Sequence, residues 1–326
     1  MANSVVDDGA QHDRPDRVLV LGGTGFIGSE VVRACVESGF AVRVVARREP
    51  HDLTGGEVEL LLGAVEGPSL LRRALDGVDW VVHAVGCPPP AASADNFDTT
   101  ADTVVGIDTL LEALRAQRGV GLTFVSSGGA VYGDVAQLPA HEDLRCRPIS
   151  AYGLGKLMAE DSIAAYSARY GIPARVLRVA NAYGPRQDGL SGQGVIGAML
   201  RAALDDGSVA VYDGGRAVRD FVHVRDVASA VVALRPGASE PQVVNVGSGV
   251  GHSVAQVLSI VEAVTGSELR VRWLPRRPSD VHANVLDITR LSKLIAWHPQ
   301  ALEDGIAQTW QELMGVAATS RGQLSA

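Results

Sequence analysis

Val18-Leu19-Val20-Leu21-Gly22-Gly23-Thr24-Gly25-Phe26-Ile27-Gly28 is the stretch on which the fold turns. Four successive apolar residues without polar alternation read as a strand buried on both faces, the habit of a parallel sheet. The glycines that stop it permit a tight turn and let backbone N–H groups approach a pyrophosphate. The helix that opens there turns its positive end toward that charge. Ile27, Val31, Val32 and Val36 then recur at helical spacing, and Gly39 closes the helix. Gly22, Gly25, Phe26, Ile27 and Gly28 are therefore the first candidate binding residues for a dinucleotide.

Outward from this stretch, apolar runs alternate with helical patterns. Strands are predicted at 41–46, 60–62, 80–82, 122–126 and 175–179, with helices near 69–75, 103–117 and 152–170 between them. Such alternation implies right-handed crossovers and an α/β, doubly wound parallel sheet of the Rossmann type. Beyond Tyr183 the alternation loosens, and short strands at 209–212, 243–246 and 269–273 mix with helices. We read 1–16 as a disordered lead-in and 17–183 as the dinucleotide domain, with some later segments returning to it. Residues 184–315 are mainly a smaller, mixed α/β C-terminal substrate lobe, and 316–326 a frayed tail.

Two further details bear on the cofactor. A dinucleotide fold often carries an acid about 20 residues after the glycines, on the ribose 2′-hydroxyl. Ala46 stands there, followed by Arg47 and Arg48. A guanidinium binds a 2′-phosphate that an acid would repel. This favours NADP(H), with NAD(H) possible and a solvated arginine pair as the alternative. A second match to the glycine pattern, Gly192-Gln193-Gly194-Val195-Ile196-Gly197, has no strand before it and reads as a loop entering a helix.

Tyr152 and Lys156 stand four apart and share one face of a helix. A cation beside a phenol favours phenolate, which makes the tyrosine a usable acid or base near neutral pH. The pair lies downstream of the glycine loop and of the strand ending at Ser126-Ser127. That combination is far more specific than either motif alone.

With these residues the sequence resembles the extended short-chain dehydrogenases/reductases that modify nucleotide sugars. The resemblance runs from Arg17 to about Trp310. Its marks are Gly22 to Gly28, Ser126-Ser127-Gly128-Gly129-Ala130-Val131-Tyr132-Gly133, Tyr152 with Lys156, and Asn181-Ala182-Tyr183-Gly184-Pro185-Arg186-Gln187. Arg219-Asp220-Phe221-Val222-His223-Val224, Asn245-Val246-Gly247 and Arg277-Pro278-Ser279-Asp280 complete them. It implies Tyr152 as acid/base, and Lys156 lowering its pKa and holding the nicotinamide ribose. Asn181, Arg219 and Arg277 would line a nucleotide-diphosphate pocket. The alternatives are an ion pair of Arg219 with Asp220 or Asp226, and a solvated Arg277 beside Arg276. The family's Ser or Thr before the Val-Tyr-Gly triplet is Gly128 here, so Ser127 or water is left to orient the substrate oxygen. Ala64 and Thr103 replace an acid and an asparagine common in the family. Tyr132 is expected either beside the nicotinamide or in the core.

The remaining composition narrows the field. Of 326 residues, 29 are Lys or Arg and 37 Asp or Glu, a net charge of −8 that argues against a nucleic-acid or anionic-membrane binder. No apolar run approaches the roughly 18 residues of a membrane span. Cys35, Cys87 and Cys146 form no framework, and no signal core precedes them, which suits a reduced cytoplasm. The eight histidines show no metal spacing, so no metal is expected, and His83 and His223 read as core residues. The leading expectation is an NADPH-dependent 4-ketoreductase of a nucleotide-linked 4-keto-6-deoxyhexose. The alternatives are a sugar-nucleotide 4-epimerase and a non-catalytic dinucleotide sensor. A homodimer is expected through the helices carrying Leu110, Leu114, Ile163 and Tyr166, read as spare apolar residues.

Overall fold

A computed structural model describes residues 15–47, 58–64, 67–86, 98–117, 119–187, 194–237, 243–277 and 280–324. The first half runs β1 (Arg17–Leu21), α1 (Phe26–Glu37), β2 (Ala41–Ala46), β3 (Val58–Leu62), α2 (Pro68–Leu75), β4 (Trp80–His83), α3 (Asp98–Arg115), β5 (Gly121–Ser127), α4 (Gly128–Val131), α5 (Ala151–Tyr170) and β6 (Ala174–Val179). With β10 (Val243–Val246) these strands form one seven-stranded sheet in the order β3-β2-β1-β4-β5-β6-β10. Every pairing in it is parallel.

The unbroken apolar run of β1 has a direct cause. Val18 and Val20 face one core with Val31 and Val32 of α1, while Leu19 and Leu21 face a second core with Leu71, Ile107, Leu110 and Ile163. Both faces of the strand are covered, so no position along it favours a polar side chain. The chain leaves β1 for β2 on one side, and β4 lies on the other. Their carboxyl ends therefore flank a topological switch point, where open α/β sheets bind ligands.

The second half contains β7 (Asn181–Tyr183), α6 (Val195–Leu204), β8 (Ser208–Tyr212), β9 (Val218–His223), α7 (Val224–Ala233), β11 (Gly251–Ser253), α8 (Val254–Thr265), β12 (Arg270–Leu274), β13 (Ala283–Asn284), α9 (Thr289–Leu294) and α10 (Leu302–Leu324). A third core joins Met199, Leu200, Val209, Val211, Val257, Val261 and Ile306. The partition by chain position is crossed twice. Val227, Ala228 and Val231 of α7 pack in the core of β1 and α1, and β10 pairs with β6.

Three expectations change. Leu110, Leu114 and Ile163 are not spare: each is at most 1% exposed and belongs to the core between sheet and helices. Tyr166 spends its hydroxyl on Glu112, at 2.6 Å. Among the described residues, the large apolar side chains that do emerge from α3 and α5 are Val105, Leu154, Met158 and Tyr170. The segment read as a frayed tail is instead helical as far as Leu324. Among the described residues no helix is long and apolar enough to cross a membrane.

Candidate active site

The glycine loop is built by close backbone approach. Gly22 has φ +82°, and a Cβ there would lie 2.7 Å from the Ala84 carbonyl oxygen at the end of β4. A Cβ on Gly28 would lie 2.0 Å from the Gly22 oxygen, so only glycine lets α1 start this close to the strand. Gly25 caps α1 without a side-chain cap, and a Cβ there would meet only the Gly22 oxygen, at 3.2 Å. No acidic residue stands in the first turn of the helix. Open N–H groups, a positive helix end and space beside Gly25 fit the pyrophosphate of a dinucleotide. Phe26 and Ile27 line the adjoining cavity. Arg47 is exposed just beyond β2, and Arg48 lies outside the described residues.

That cavity, about 860 Å³, also takes in Ser127, Tyr152 and Lys156 and continues to Asn181, Arg219 and Arg277. Phe26, Ile27, Ser127, Tyr152, Lys156, Asn181, Arg219 and Arg277, predicted from separate motifs, are thus brought to one cleft, whereas Gly22, Gly25, Gly28 and Arg47 are not on its wall. Helix α5 is firmly started and stopped: Ser150 accepts from Gly153 N at 3.1 Å, and Gly171 ends it at φ 69°. Tyr152 stands in the first turn. Gly153 beside it has no room for a Cβ, which would lie 2.7 Å from the Ala130 carbonyl oxygen of α4. Lys156 is buried; its Nζ donates to the Val125 carbonyl at 2.9 Å and lies 4.7 Å from the Phe124 ring centroid. Burial, helped by the Lys156 ammonium, pulls His83 down to about 3, so this histidine is a neutral core residue.

The missing hydroxyl at Gly128 has a packing cause. A Cβ there would lie 2.7 Å from Leu286 Cδ1 and 3.0 Å from the Arg178 carbonyl oxygen. Leu286 has taken the space, while Ser127 remains on the cavity wall. Tyr132 is fully buried, donates to Asn245 Oδ1 at 2.7 Å and does not line the cavity. Of its two expected places, the core is the one it occupies.

At the far end, Asn181 Nδ2 donates to the Asp220 carbonyl at 3.1 Å. Arg219 donates to the carbonyls of Val218, Val281 and His282, at 2.8, 2.6 and 3.3 Å. Asp220 does not pair with it: that buried carboxylate accepts from Ser248 and Gly249 backbone N–H groups, at 2.8 and 3.1 Å. Arg277 is not simply solvated. It donates to Asp280 at 3.0 Å and lies 4.1 Å over the Tyr212 ring. Tyr212, Arg201 and the 84–86 segment line the same cleft and escaped the motif reading. The end of the fourth strand, opposite the glycine loop, was a signal for Ala84 to Gly86; nothing local marked Tyr212.

Comparison with known proteins gives one consistent set of relatives. The family model described as "NAD dependent epimerase/dehydratase family" matches residues 18–247. A UDP-glucose 4-epimerase of Mycolicibacterium smegmatis is 32% identical over 309 residues, covering 90% of this chain and 97% of the relative. The crystal structure of the Thermotoga maritima UDP-glucose 4-epimerase with UDP-glucose aligns with a TM-score of 0.85 at 29% identity, over 92% of this chain and 99% of that one. The Thermus thermophilus UDP-glucose 4-epimerase complex with NAD aligns at 0.83 and 30% identity, with the same coverage.

Proposed function

Because the chain belongs to the NAD dependent epimerase/dehydratase family, we propose that it is a 4-epimerase of UDP-hexoses. The observation that carries this is the single cleft running from the glycine loop past Tyr152 and Lys156 to Arg219 and Arg277. Full-length similarity to UDP-glucose 4-epimerases supports it over the ketoreductase expectation.

When bound, the dinucleotide supplies the hydride acceptor and donor. The chain's own residues supply the rest. Inversion at carbon 4 needs a group that removes and returns the hydroxyl proton, and the Tyr152 phenol is that acid/base. Lys156, tied to the Val125 carbonyl, holds positive charge next to the site. Ser127 is the hydroxyl on the wall nearest the strand end and orients the sugar oxygen. Arg219 and Arg277 receive the diphosphate, with Asn181 beside them, and the wall is braced through Asp220. The cation pair explains how a chain of net charge −8 takes an anionic substrate.

The reductase reading keeps one specific support: Ala46 stands where the pattern expects an acid, and the exposed Arg47 follows it, which suits NADP(H). Incubation with UDP-glucose and NAD+ separates the two. Conversion to UDP-galactose with no net NADH supports the epimerase. Steady NADPH consumption with a 4-keto sugar nucleotide, and no UDP-hexose interconversion, overturns it in favour of the reductase. Tyr152→Phe is expected to lower kcat about 10²- to 10⁴-fold with dinucleotide affinity kept. A homodimer through Val105, Leu154, Met158 and Tyr170 of α3 and α5 is part of this proposal; a monomer mass in solution rejects it.

A further inference from the structure

Below the cleft lies a buried polar chain whose central ion pair, Glu160 with Arg178, no motif announced. Ser126 Oγ donates to Glu160 Oε1. Arg178 donates twice to Glu160 Oε2, at 2.7 and 3.0 Å, and also to the Tyr132 hydroxyl at 3.1 Å. The Tyr132 hydroxyl donates to Asn245 Oδ1, and Asn245 N donates to Glu142 Oε1 at 3.0 Å. Glu160 and Arg178 are only 5% and 6% exposed.

A buried ion pair of this kind is often no more stabilising than well-packed apolar residues of the same volume. Net stability is thus a poor account of its presence, and its geometry offers a better one. Tyr152, Lys156 and Glu160 are spaced by four and form one row along α5. Two of the three meet consecutive residues of β5: Lys156 holds the Val125 carbonyl, and Glu160 holds the Ser126 hydroxyl. The next residue, Ser127, lines the cleft. Arg178 of β6 fixes the other oxygen of the same carboxylate, so Glu160 cannot turn away. The register between the helix bearing Tyr152 and the strand end bearing Ser127 is therefore pinned at two successive points.

We propose that Glu160, held by Arg178, is a positioning residue that sets Lys156 and Tyr152 against Ser127; this rests on the roles given to those three residues above. Two variants test it. Ser126→Ala cuts the link to the strand and leaves the ion pair whole. The double variant Glu160→Leu/Arg178→Met replaces the pair by apolar side chains, so that no charge is left buried alone. In both, the melting temperature and KM are expected to stay near the parent's. In the double variant kcat is expected to fall by about tenfold or more, because small misplacements near reacting groups cost rate steeply. A smaller fall is expected for Ser126→Ala. In a crystal structure of the double variant, Lys156 Nζ is expected beyond about 3.5 Å from the Val125 oxygen.

A kcat within about twofold of the parent in both folded variants overturns the proposal. So does a double variant of low kcat with Lys156 still on Val125. The crystallographic readout needs no turnover. If the parent fails to interconvert UDP-hexoses, the proposed function fails alone, and the place of Lys156 in the variant still decides this inference.

Discussion

The chain carries the same glycine spacing twice, at Gly23-x-Gly25-x-x-Gly28 and at Gly192-x-Gly194-x-x-Gly197, and each precedes a helix. At the first, the absent Cβ atoms make room for backbone at Gly28, against the Gly22 oxygen, and for the Val44 and Val32 side chains at Gly23; Gly22, just before the pattern, meets the Ala84 backbone. At the second, they make room for one side chain. A Cβ on Gly194 would lie 2.2 Å from Gln187 Cδ, and one on Gly197 3.1 Å from Gln187 Oε1. Gly192 lies outside the described residues. The first loop is a cradle at a switch point; the second is a slot for an amide that donates to the Ala182 carbonyl at 3.1 Å. Identical glycine spacings thus answer different steric problems, and only the strand before the first separates them in advance.

Substitutions can break this contrast in a definite order. Gly28→Ala forces backbone against backbone and is expected to cost about 3 kcal/mol, with dinucleotide affinity falling below detection. Thermal unfolding and isothermal titration would check both, and a variant that binds normally would remove the cradle. Gly194→Ala meets Gln187 and must also adopt φ +78°, a conformation that L residues avoid. About 2 kcal/mol of stability should be lost, while dinucleotide affinity stays within about twofold. Adding Gln187→Ala should return only the steric share of that loss. Arg47→Ala sharpens the contrast at the ribose edge, which the second motif lacks. NADP+ affinity should fall about tenfold and NAD+ affinity scarcely change; equal losses would show that Arg47 reads no phosphate. Gly197→Ala is the smallest case. Its Cβ would lie 3.1 Å from Gln187 Oε1 and 3.2 Å from the Gln187 carbonyl oxygen, contacts that alanine's helix preference partly offsets, so the loss of stability should stay below about 1 kcal/mol.

Much of the cleft was legible because its parts are local. Gly22 to Gly28, Tyr152 with Lys156, and the Arg219 and Arg277 segments each announce themselves within a few residues. What stayed hidden was pairing over long separations. Arg178 sits in the buried strand Ala174–Val179, and nothing nearby says that Glu160 meets it. Leu110, Leu114 and Ile163 looked surplus because helical spacing shows that a face is apolar without showing what covers it. Gly128 looked like a catalytic loss until Leu286, 158 residues on, was seen to occupy its space.

The sequence alone determined the parallel sheet, since largely apolar strands alternating with helical patterns imply parallel crossovers and glycine loops admit few conformations. It also marked chemical groups that the cleft contains: the Tyr152 phenol, the Lys156 ammonium and the guanidinium groups of Arg219 and Arg277. Tertiary structure alone decided that these share one cavity, that α7 and β10 return to the first sheet, and that Glu160 clamps helix to strand. The physical reason is range. Backbone preference and side-chain periodicity act over a few residues, whereas burial, ion pairing and steric exclusion depend on which distant segments the folded chain brings into contact.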